Sequence, residues 1–339
     1  MLSETLPLTK LTAGAASGLA NCRIKIVDSS CVAQDGANRE TVRIHMCYDL
    51  TLAAMDEVHL TDKHTAESFS HFDISPGDIY LADAGYGKGK HLHYIVSRQA
   101  GAILRVTPNH LRLSEDPKGK ETIDVAGKLN SAKNIVDFTC FVHSENRKYV
   151  PCRIIASRLP EDKATAAILR KKRSSLKRQS VIRKNTLVYA EWVILMTSLN
   201  YDYSAHDILE LYRARWQIEL LFKRIKQFFK IVKLRKASIQ HSKALILLWL
   251  IVWSLTERDV AAAEIYLNTR KEDMNLYSVF TMSSFFLNRF KAETLSLLAK
   301  CYDTDDALLI INKRLKNHKS TRLYQYTSFR FGFLGFFMS

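Results

Sequence analysis

Three acidic residues have the types and positions from which a site for divalent metal ions can be built. Asp28 ends the apolar run KIVD and Asp83 ends IYLAD, so each closes a strand-like segment, whereas Glu219 lies in a segment with helical periodicity. Carboxylate oxygens suit Mg²⁺ or Mn²⁺, and two such ions can clamp both oxygens of an in-line phosphoryl displacement. Taken singly, either aspartate also fits a turn-forming residue after a strand.

A polar stripe runs along the helical segment that contains Glu219. At about 100° per residue, four side chains fall within about 60° of one another: Tyr212, Arg215, Glu219 and Lys226. The stripe borders an apolar face, so we expect it at the rim of the buried surface. The predicted core residues of that face are Leu211, Ala214, Ile218, Leu221, Ile225 and Phe229. An ordinary amphipathic helix with a surface ion pair between Glu219 and Arg215 explains the same pattern.

The positive charge of the chain is concentrated in one quarter of it. The 339 residues carry a net charge of +16, and residues 151–240 alone contain 20 Lys+Arg against 7 Asp+Glu. Such a basic region favours a polyanionic partner, most simply nucleic acid, although a solvated surface is the alternative. The segment 169–184 is the most basic, and its candidate DNA-binding residues are Lys171, Lys172, Arg173, Lys177 and Arg178.

Other kinds of site have no support in the sequence. The 6 cysteines form no CxxC pair, which favours reduced thiols in a cytosolic compartment. The glycine-rich run at 85–90 matches neither phosphate-binding loop pattern. The first residues lack the pattern of a signal peptide, and the apolar run at 244–255 is shorter than the roughly 20 residues of a membrane span. We therefore expect a cytoplasmic protein that does not contact membranes.

The order of the predicted elements indicates an α/β fold. Strand patterns at 22–32, 41–49 and 55–61 precede a helix at 64–72, and a strand at 78–83, a helix at 88–99 and a strand at 102–107 follow. Three antiparallel strands followed by strands joined through helices is the order of a ribonuclease H-like sheet, and other mixed α/β folds share it.

The second half of the chain changes in character. Strand patterns at 135–142, 149–156 and 186–197 enclose the basic segment, and helices are predicted at 204–230, 242–263 and 283–300. The predicted division is a residual N-terminal segment (1–20), a first core part (21–108), a β-rich basic insertion (109–199), a second core part (200–265) and a C-terminal helical region (266–339).

The spacing of the helical stripe carries a family resemblance. Tyr212, Arg215, Glu219 and Lys226 reproduce the Y-(2)-R-(3)-E-(6)-K signature and resemble bacterial insertion-sequence transposases of the DDE class, in the insertion-sequence-four group. The segment VDSSCV resembles the first-Asp region of that family. The segment from RIHMCYD to DAGYGKG resembles the region that leads to the second Asp.

The resemblance implies roles for these residues and an activity. Asp28, Asp83 and Glu219 would hold two Mg²⁺ or Mn²⁺ ions, and Tyr212, Arg215 and Lys226 would contact transposon-end DNA. The implied activity is metal-dependent cleavage of transposon ends followed by strand transfer, that is, cut-and-paste DNA transposition. The implied partners are double-stranded DNA and a second copy of the chain, in a dimer assembled on DNA at the bacterial nucleoid.

Three departures from the family pattern define the alternatives. Ala84 stands where the family usually has arginine. Relatives often use a tryptophan of the insertion to stack on a flipped base, but this insertion has none before Trp192, which we expect in the core. Tyr149 is a weak candidate for that stacking role. Only 27 residues precede Asp28, so we expect this chain to lack the N-terminal DNA-binding region of the family. The alternatives are a truncated, non-catalytic DNA-binding remnant that inhibits a full-length transposase, and a ribonuclease H-like nuclease without strand transfer.

Overall fold

The computed structural model describes residues 22–34, 41–52, 54–145, 148–229, 234 and 238–269, without the side chains of 228 and 258–269. The chain divides into two compact units, Met1–Leu255 and Thr256–Ser339, and every site discussed below lies in the first. The predicted segment 1–20, the helix at 283–300 and the C-terminal region from 270 onward lie outside the described residues.

Within the described residues, nine strands form one mixed sheet. They are β1 (Ile24–Ala33), β2 (Thr41–Asp49), β3 (Ala54–Asp62), β4 (Ile79–Ala82), β5 (Gly101–Arg105), β6 (Leu113–Ser114), β7 (Ile135–His143), β8 (Tyr149–Arg158) and β9 (Trp192–Thr197). Their order across the sheet is β3-β2-β1-β4-β5-β9-β8-β7-β6. β1, β4 and β5 run parallel to one another, whereas the other neighbouring pairs are antiparallel. The predicted insertion therefore extends the same sheet from the β5 edge.

Helices cover both faces of this sheet. They are α1 (Gly89–Val96), α2 (Val125–Ser131), α3 (Glu161–Lys177), α4 (Lys184–Ala190), α5 (Ala205–Arg213), α6 (Trp216–Phe228) and α7 (Ile239–Thr269), and short 3₁₀ helices occupy Phe69–His71 and Pro108–His110. A capping box between Ser204 and Asp207 starts α5, as the sequence predicts. We find the mixed α/β class that the element order indicates.

Strand alternation divides the core into two clusters. In β4, Leu81 belongs to one cluster whereas Tyr80 and Ala82 belong to the other, because successive side chains of a strand point to opposite faces. The first cluster contains the predicted apolar face of the 204–230 segment, and its members Leu211, Ala214, Ile218, Leu221 and Ile225 are buried. The second cluster packs around α1. The polar stripe of the helical segment consequently lies beside β1 and β4.

Three predicted elements differ from the structure. The helix predicted at 204–230 is interrupted between α5 and α6, where Ala214, Arg215 and Ile218 donate backbone hydrogen bonds to carbonyls three residues back rather than four. The helix predicted at 64–72 is reduced to the 3₁₀ turn Phe69–His71. The strand predicted at 186–197 begins at Trp192, after α4, because apolar runs of this length suit helix and strand alike.

The apolar helix α7 packs partly into the core. By length and composition alone, the segment Ile239–Glu257 could cross a membrane, with a mean hydropathy of 1.3, and core helices of soluble proteins can pass the same test. Ile246, Leu250 and Trp253 are buried in the first core cluster, whereas Leu248 and Ile251 are exposed. The buried side of the segment is therefore that of a core helix.

Candidate active site

The parallel pairing of β1 and β4 brings Asp28 and Asp83 side by side. Their last paired residues are Val27 and Ala82, so the two aspartates come next on neighbouring strands, which lie about 5 Å apart. Asp83 directly follows β4, as predicted, whereas β1 does not end at Asp28. β1 continues to Ala33 because β2 still pairs with it there, although its pairing with β4 has ended.

Backbone amides hold both carboxylates. Ser29 N donates to Asp28 Oδ1 at 2.7 Å, and Gly85 N donates to Asp83 Oδ1 at 2.9 Å. The pKa of Asp28 is raised to about 7, mainly by burial and also by the charge of Asp83, against the lowering effects of the Ser29 amide and Arg215. A bound cation would stabilise the ionised form of Asp28.

Arg215 links Glu219 to the first aspartate. Its guanidinium hydrogen-bonds to Glu219 Oε1 through Nη2, and its Nη1 lies 3.9 Å from Asp28 Oδ2. The Arg215 side chain is 12% exposed, whereas that of Glu219 is 42% exposed. An open cleft of about 390 Å³ runs along this contact, lined by Asp28, Ser29, Ser30, Glu219, Phe222, Lys223, Lys226 and Gln227.

The three carboxylates of Asp28, Asp83 and Glu219 have the chemistry to bind a hard divalent cation, but they do not surround one point. In the part of the chain that the structure describes, no three Asp, Glu, His or Cys side chains are grouped closely enough to hold a metal ion. Asp28 and Asp83 are adjacent, whereas Glu219 is engaged by Arg215. Asp28, Asp83 and Glu219 carry oxygen atoms of the kind that Mg²⁺ and Mn²⁺ prefer, and the Glu219 side chain is exposed beside the cleft.

The other two residues of the signature have different surroundings. Tyr212 is 9% exposed, and its hydroxyl has no hydrogen-bond partner among the described residues. Burial raises the pKa of Tyr212 to about 12, so the phenol stays protonated and can donate. The Lys226 ammonium donates to Ser30 Oγ at 2.6 Å and to the Cys31 carbonyl at 3.2 Å, which anchors α6 to β1.

The basic residues of the insertion lie apart from this cleft. Lys171, Lys172, Arg173 and Lys177 are exposed on α3, and Arg178 is exposed at its end. None of them lines the cleft or forms an ion pair within the described residues. Trp192 is 4% exposed and belongs to the second core cluster, as expected. Tyr149 is half-buried on β8, with its ring 5.3 Å from that of His143.

The structure adds one acidic residue that the sequence reasoning missed. Glu67, between β3 and the first 3₁₀ helix, accepts a hydrogen bond from Ser29 Oγ at 2.7 Å and lies 3.9 Å from Arg43 Nη1. It follows no strand and shares no helical stripe, so pattern and periodicity carry no signal for it. The tertiary fold alone brings it to Asp28.

Comparison with known proteins identifies the class. Residues 23–255 match the family described as the transposase DDE domain, and the chain belongs to this family.

The relatives are encoded by insertion sequences. The chain is 31% identical over 252 residues to the transposase for insertion sequence element IS421 of Escherichia coli, an alignment that covers 73% of this chain and 67% of that protein. The values are the same for transposase InsL for insertion sequence element IS186A of Escherichia coli K12. The transposase for insertion sequence element IS1151 of Clostridium perfringens is 23% identical over 181 residues, which is 48% of this chain and 38% of that protein.

Proposed function

We propose that this protein is a DNA transposase that cuts transposon ends in a metal-dependent reaction. The freed 3′-hydroxyl then attacks a phosphodiester of target DNA, which joins the two strands and releases a 3′-hydroxyl of the target. The observation that carries the proposal is the pairing of Asp28 and Asp83 on neighbouring parallel strands, with Glu219 lining the same cleft as Asp28. Membership of the DDE transposase family supports it.

The finer classification is also a proposal. The strand order β3-β2-β1-β4-β5, with β2 antiparallel to both of its neighbours, supports a ribonuclease H-like core whose insertion, at 109–199, continues the sheet. The spacing of Tyr212, Arg215, Glu219 and Lys226 supports the insertion-sequence-four group and its YREK signature.

We assign the binding of two Mg²⁺ or Mn²⁺ ions to Asp28, Asp83 and Glu219. Bound there, the ions would activate the attacking water and neutralise charge on the scissile phosphate. Arg215 has a buried Nε without a partner among the described residues, and the Tyr212 hydroxyl is in the same state. Two unsatisfied donors beside the carboxylates suit a phosphate of the DNA end, which would orient the backbone. By engaging that phosphate, Arg215 would release Glu219.

The exposed cations of α3 extend the proposed DNA contact beyond the cleft. Lys171, Lys172 and Arg173 are exposed on one turn of this helix, where they can neutralise backbone phosphates without reading sequence. We further propose that two copies of the chain assemble on the paired transposon ends, in the cytoplasm at the nucleoid.

Cleavage of a labelled cognate end tests the proposal. Glu219→Gln removes one charge and keeps the size of the side chain, so we expect cleavage with Mg²⁺ to fall by at least about 10³-fold while DNA binding persists. Glu210→Gln is the matched control, because Glu210 pairs with Arg213 on the adjacent helix α5 and lines no part of the cleft. Equal cleavage by both variants would contradict the proposed role of Glu219.

A non-catalytic DNA-binding inhibitor is the second candidate. The observation that favours it is the engagement of Glu219 by Arg215, without a three-ligand group among the described residues. DNA binding without cleavage under Mg²⁺ or Mn²⁺, in the presence of a cognate end, supports this candidate over the first.

A further inference from the structure

Glu67 contacts the segment that carries Asp28. Ser29 uses its hydroxyl to donate to Glu67 Oε1 at 2.7 Å and its backbone amide to donate to Asp28 Oδ1 at 2.7 Å. One residue therefore connects the two carboxylates. The charge of Glu67 also raises the pKa of Asp28, although less than burial and Asp83 do.

The Glu67 carboxylate also lies against the loop that follows Asp83. A methyl group at Gly85 would collide with Glu67 Oε2 and would lie 3.1 Å from Asp83 Oδ1. Gly85 also donates its amide to Asp83. Only a residue without a side chain lets Glu67 approach this loop, so its carboxylate reaches the backbone beside both aspartates.

A buried phenol completes the surroundings. Tyr86 is fully buried, and its hydroxyl lacks a hydrogen-bond partner within the described parts of the chain. Burial raises the pKa of Tyr86, and so do the charges of Glu67, Asp28 and Asp83, because the phenol lies within electrostatic range of all three carboxylates. A buried donor without an acceptor is costly, so we expect a water molecule or a polar ligand that accepts from this hydroxyl.

We propose that Glu67 is a positioning residue and the fourth carboxylate of the Asp28–Asp83 site, which raises the affinity of the site for a divalent cation. It accepts the Ser29 hydroxyl next to Asp28, lies against Gly85 next to Asp83, and adds negative charge that a bound cation would offset. Within the described residues, Arg43 is the cation that pairs with Glu67, with Nη1 3.9 Å from Oε1. The inference rests on the proposed function, because it concerns the same metal site.

The affinity of the DNA-free full chain for Mn²⁺, measured by titration calorimetry, tests this role without any activity readout. Glu67→Gln keeps an acceptor for Ser29 but loses the charge, and we expect Mn²⁺ affinity to fall about tenfold, as for other groups that support metal ligands. Glu67→Asp restores the charge and recovers part of the affinity. Ser29→Ala removes the hydroxyl that anchors Glu67 and weakens binding in the same direction.

Glu57→Gln is the matched control. Glu57 is 26% exposed against 28% for Glu67, and it likewise accepts a hydrogen bond, from the amide of Asp73. We expect this variant to bind Mn²⁺ as the unmodified chain does, with equal thermal midpoints throughout the set. If Asp83→Asn loses Mn²⁺ while Glu67→Gln and Ser29→Ala retain full affinity, the role of Glu67 is overturned and the metal site stands. If the unmodified chain shows no Asp83-dependent Mn²⁺ binding, the metal site itself fails, and the role of Glu67 with it.

Discussion

The two halves of the sheet differ in where their largest groups of like charge lie. In the half formed by β3, β2, β1, β4 and β5, the acidic group lies in the interior and along a cleft. Lys25 is buried between Asp56 and Asp78 at 2.9 and 3.0 Å, and acidic side chains gather near Asp28. In the half formed by β9 to β6, with α2 to α4, the basic residues of α3 point into solvent. One half concentrates negative charge at a point, whereas the other spreads positive charge over a surface.

This difference teaches how one chain can both attract and process a polyanion. A dispersed cationic surface acts over roughly a Debye length, about 8–10 Å, and is screened by salt, which suits DNA capture. A buried acidic site is screened little by salt, and it repels phosphate unless bound cations neutralise its charge. Such a site suits a reaction step that requires bound metal ions. The basic residues of α3 do not line the cleft that contains Asp28 and Glu219, so the two kinds of charge do not pair there.

The largest expected effect comes from the acidic half. Asp28→Asn should lower cleavage by at least about 10³-fold, because one of the proposed metal ligands is lost. Burial raises the pKa of Asp28 to about 7, so its contribution to folding is present below about pH 4 and is lost as the pH rises to about 7. Without metal at pH 8, the Asn variant should therefore unfold at equal or higher urea concentration.

Asp49→Asn supplies the contrast in the same half. Asp49 is buried in β2 and accepts hydrogen bonds from the amides of Thr51 and Leu52 at 2.8 and 2.9 Å. We expect this variant to lose stability and keep its cleavage rate per folded molecule. If Asp28→Asn and Asp49→Asn lose stability alike and cleave alike, the acidic half has no special site.

The second effect is structural and lies in the basic half. Arg153 is 3% exposed, pairs with Asp137 at 2.5 and 2.7 Å, and donates to the carbonyls of Asn200 and Tyr203. Arg153→Met leaves a carboxylate and two carbonyls without their donor, so we expect the free energy of unfolding to fall by about 3–5 kcal/mol. Arg158→Met, on the same strand, should cost under about 1 kcal/mol, because Arg158 is 49% exposed. Similar urea midpoints for both variants would contradict this ranking.

A third effect concerns capture of DNA. Replacing Lys171, Lys172 and Arg173 together by alanine should weaken DNA binding about 100-fold at low salt, and the slope of log K against log [salt] should fall by about 3. The cleavage rate at saturating DNA should stay unchanged, because these residues lie outside the cleft. The double variant Lys118→Ala, Lys120→Ala removes exposed lysines elsewhere in the insertion and is the control. An unchanged salt slope in the triple variant would locate the DNA surface elsewhere.

The smallest effect is a pH dependence within the acidic half. His45 is fully buried on β2, with Nε2 2.9 Å from Thr61 Oγ1, and burial lowers its pKa to about 4. Because the folded pKa lies below the unfolded one, stability is lost as the pH falls through 6.5 toward 4. Between pH 8 and pH 5, protonation of His45 in the unfolded chain should lower the free energy of unfolding by about 2 kcal/mol. His45→Gln should remove this part of the pH dependence of the free energy of unfolding, measured by urea titration at each pH. If the pH dependence is unchanged in the variant, other groups cause it.

Local sequence patterns predicted much of this architecture and part of the site. Strand alternation located β1 to β5 within a few residues, and helical periodicity identified the buried face that includes Leu211 and Ile218, because burial imposes these periods directly. The same reasoning predicted a single helix where the structure has α5 and α6. Ala214 and Arg215 are ordinary helix formers, and no local signal marks the change in hydrogen bonding between the two helices. It also placed Asp28 at the close of the run KIVD, where the structure shows that only the pairing with β4 stops.

By itself, the sequence determined the class of the fold, the two aspartates at the ends of strand-like runs, the signature around Glu219 and the surplus of basic residues in the insertion. Periodicity, spacing and composition are local properties, and a single chain displays them. Only the tertiary structure decided that Arg215 engages Asp28 and Glu219, that Lys226 anchors to β1, and that Glu67 joins the carboxylates through Ser29. These contacts join segments up to 196 residues apart, and their geometry follows from packing two layers of helices on a twisted sheet.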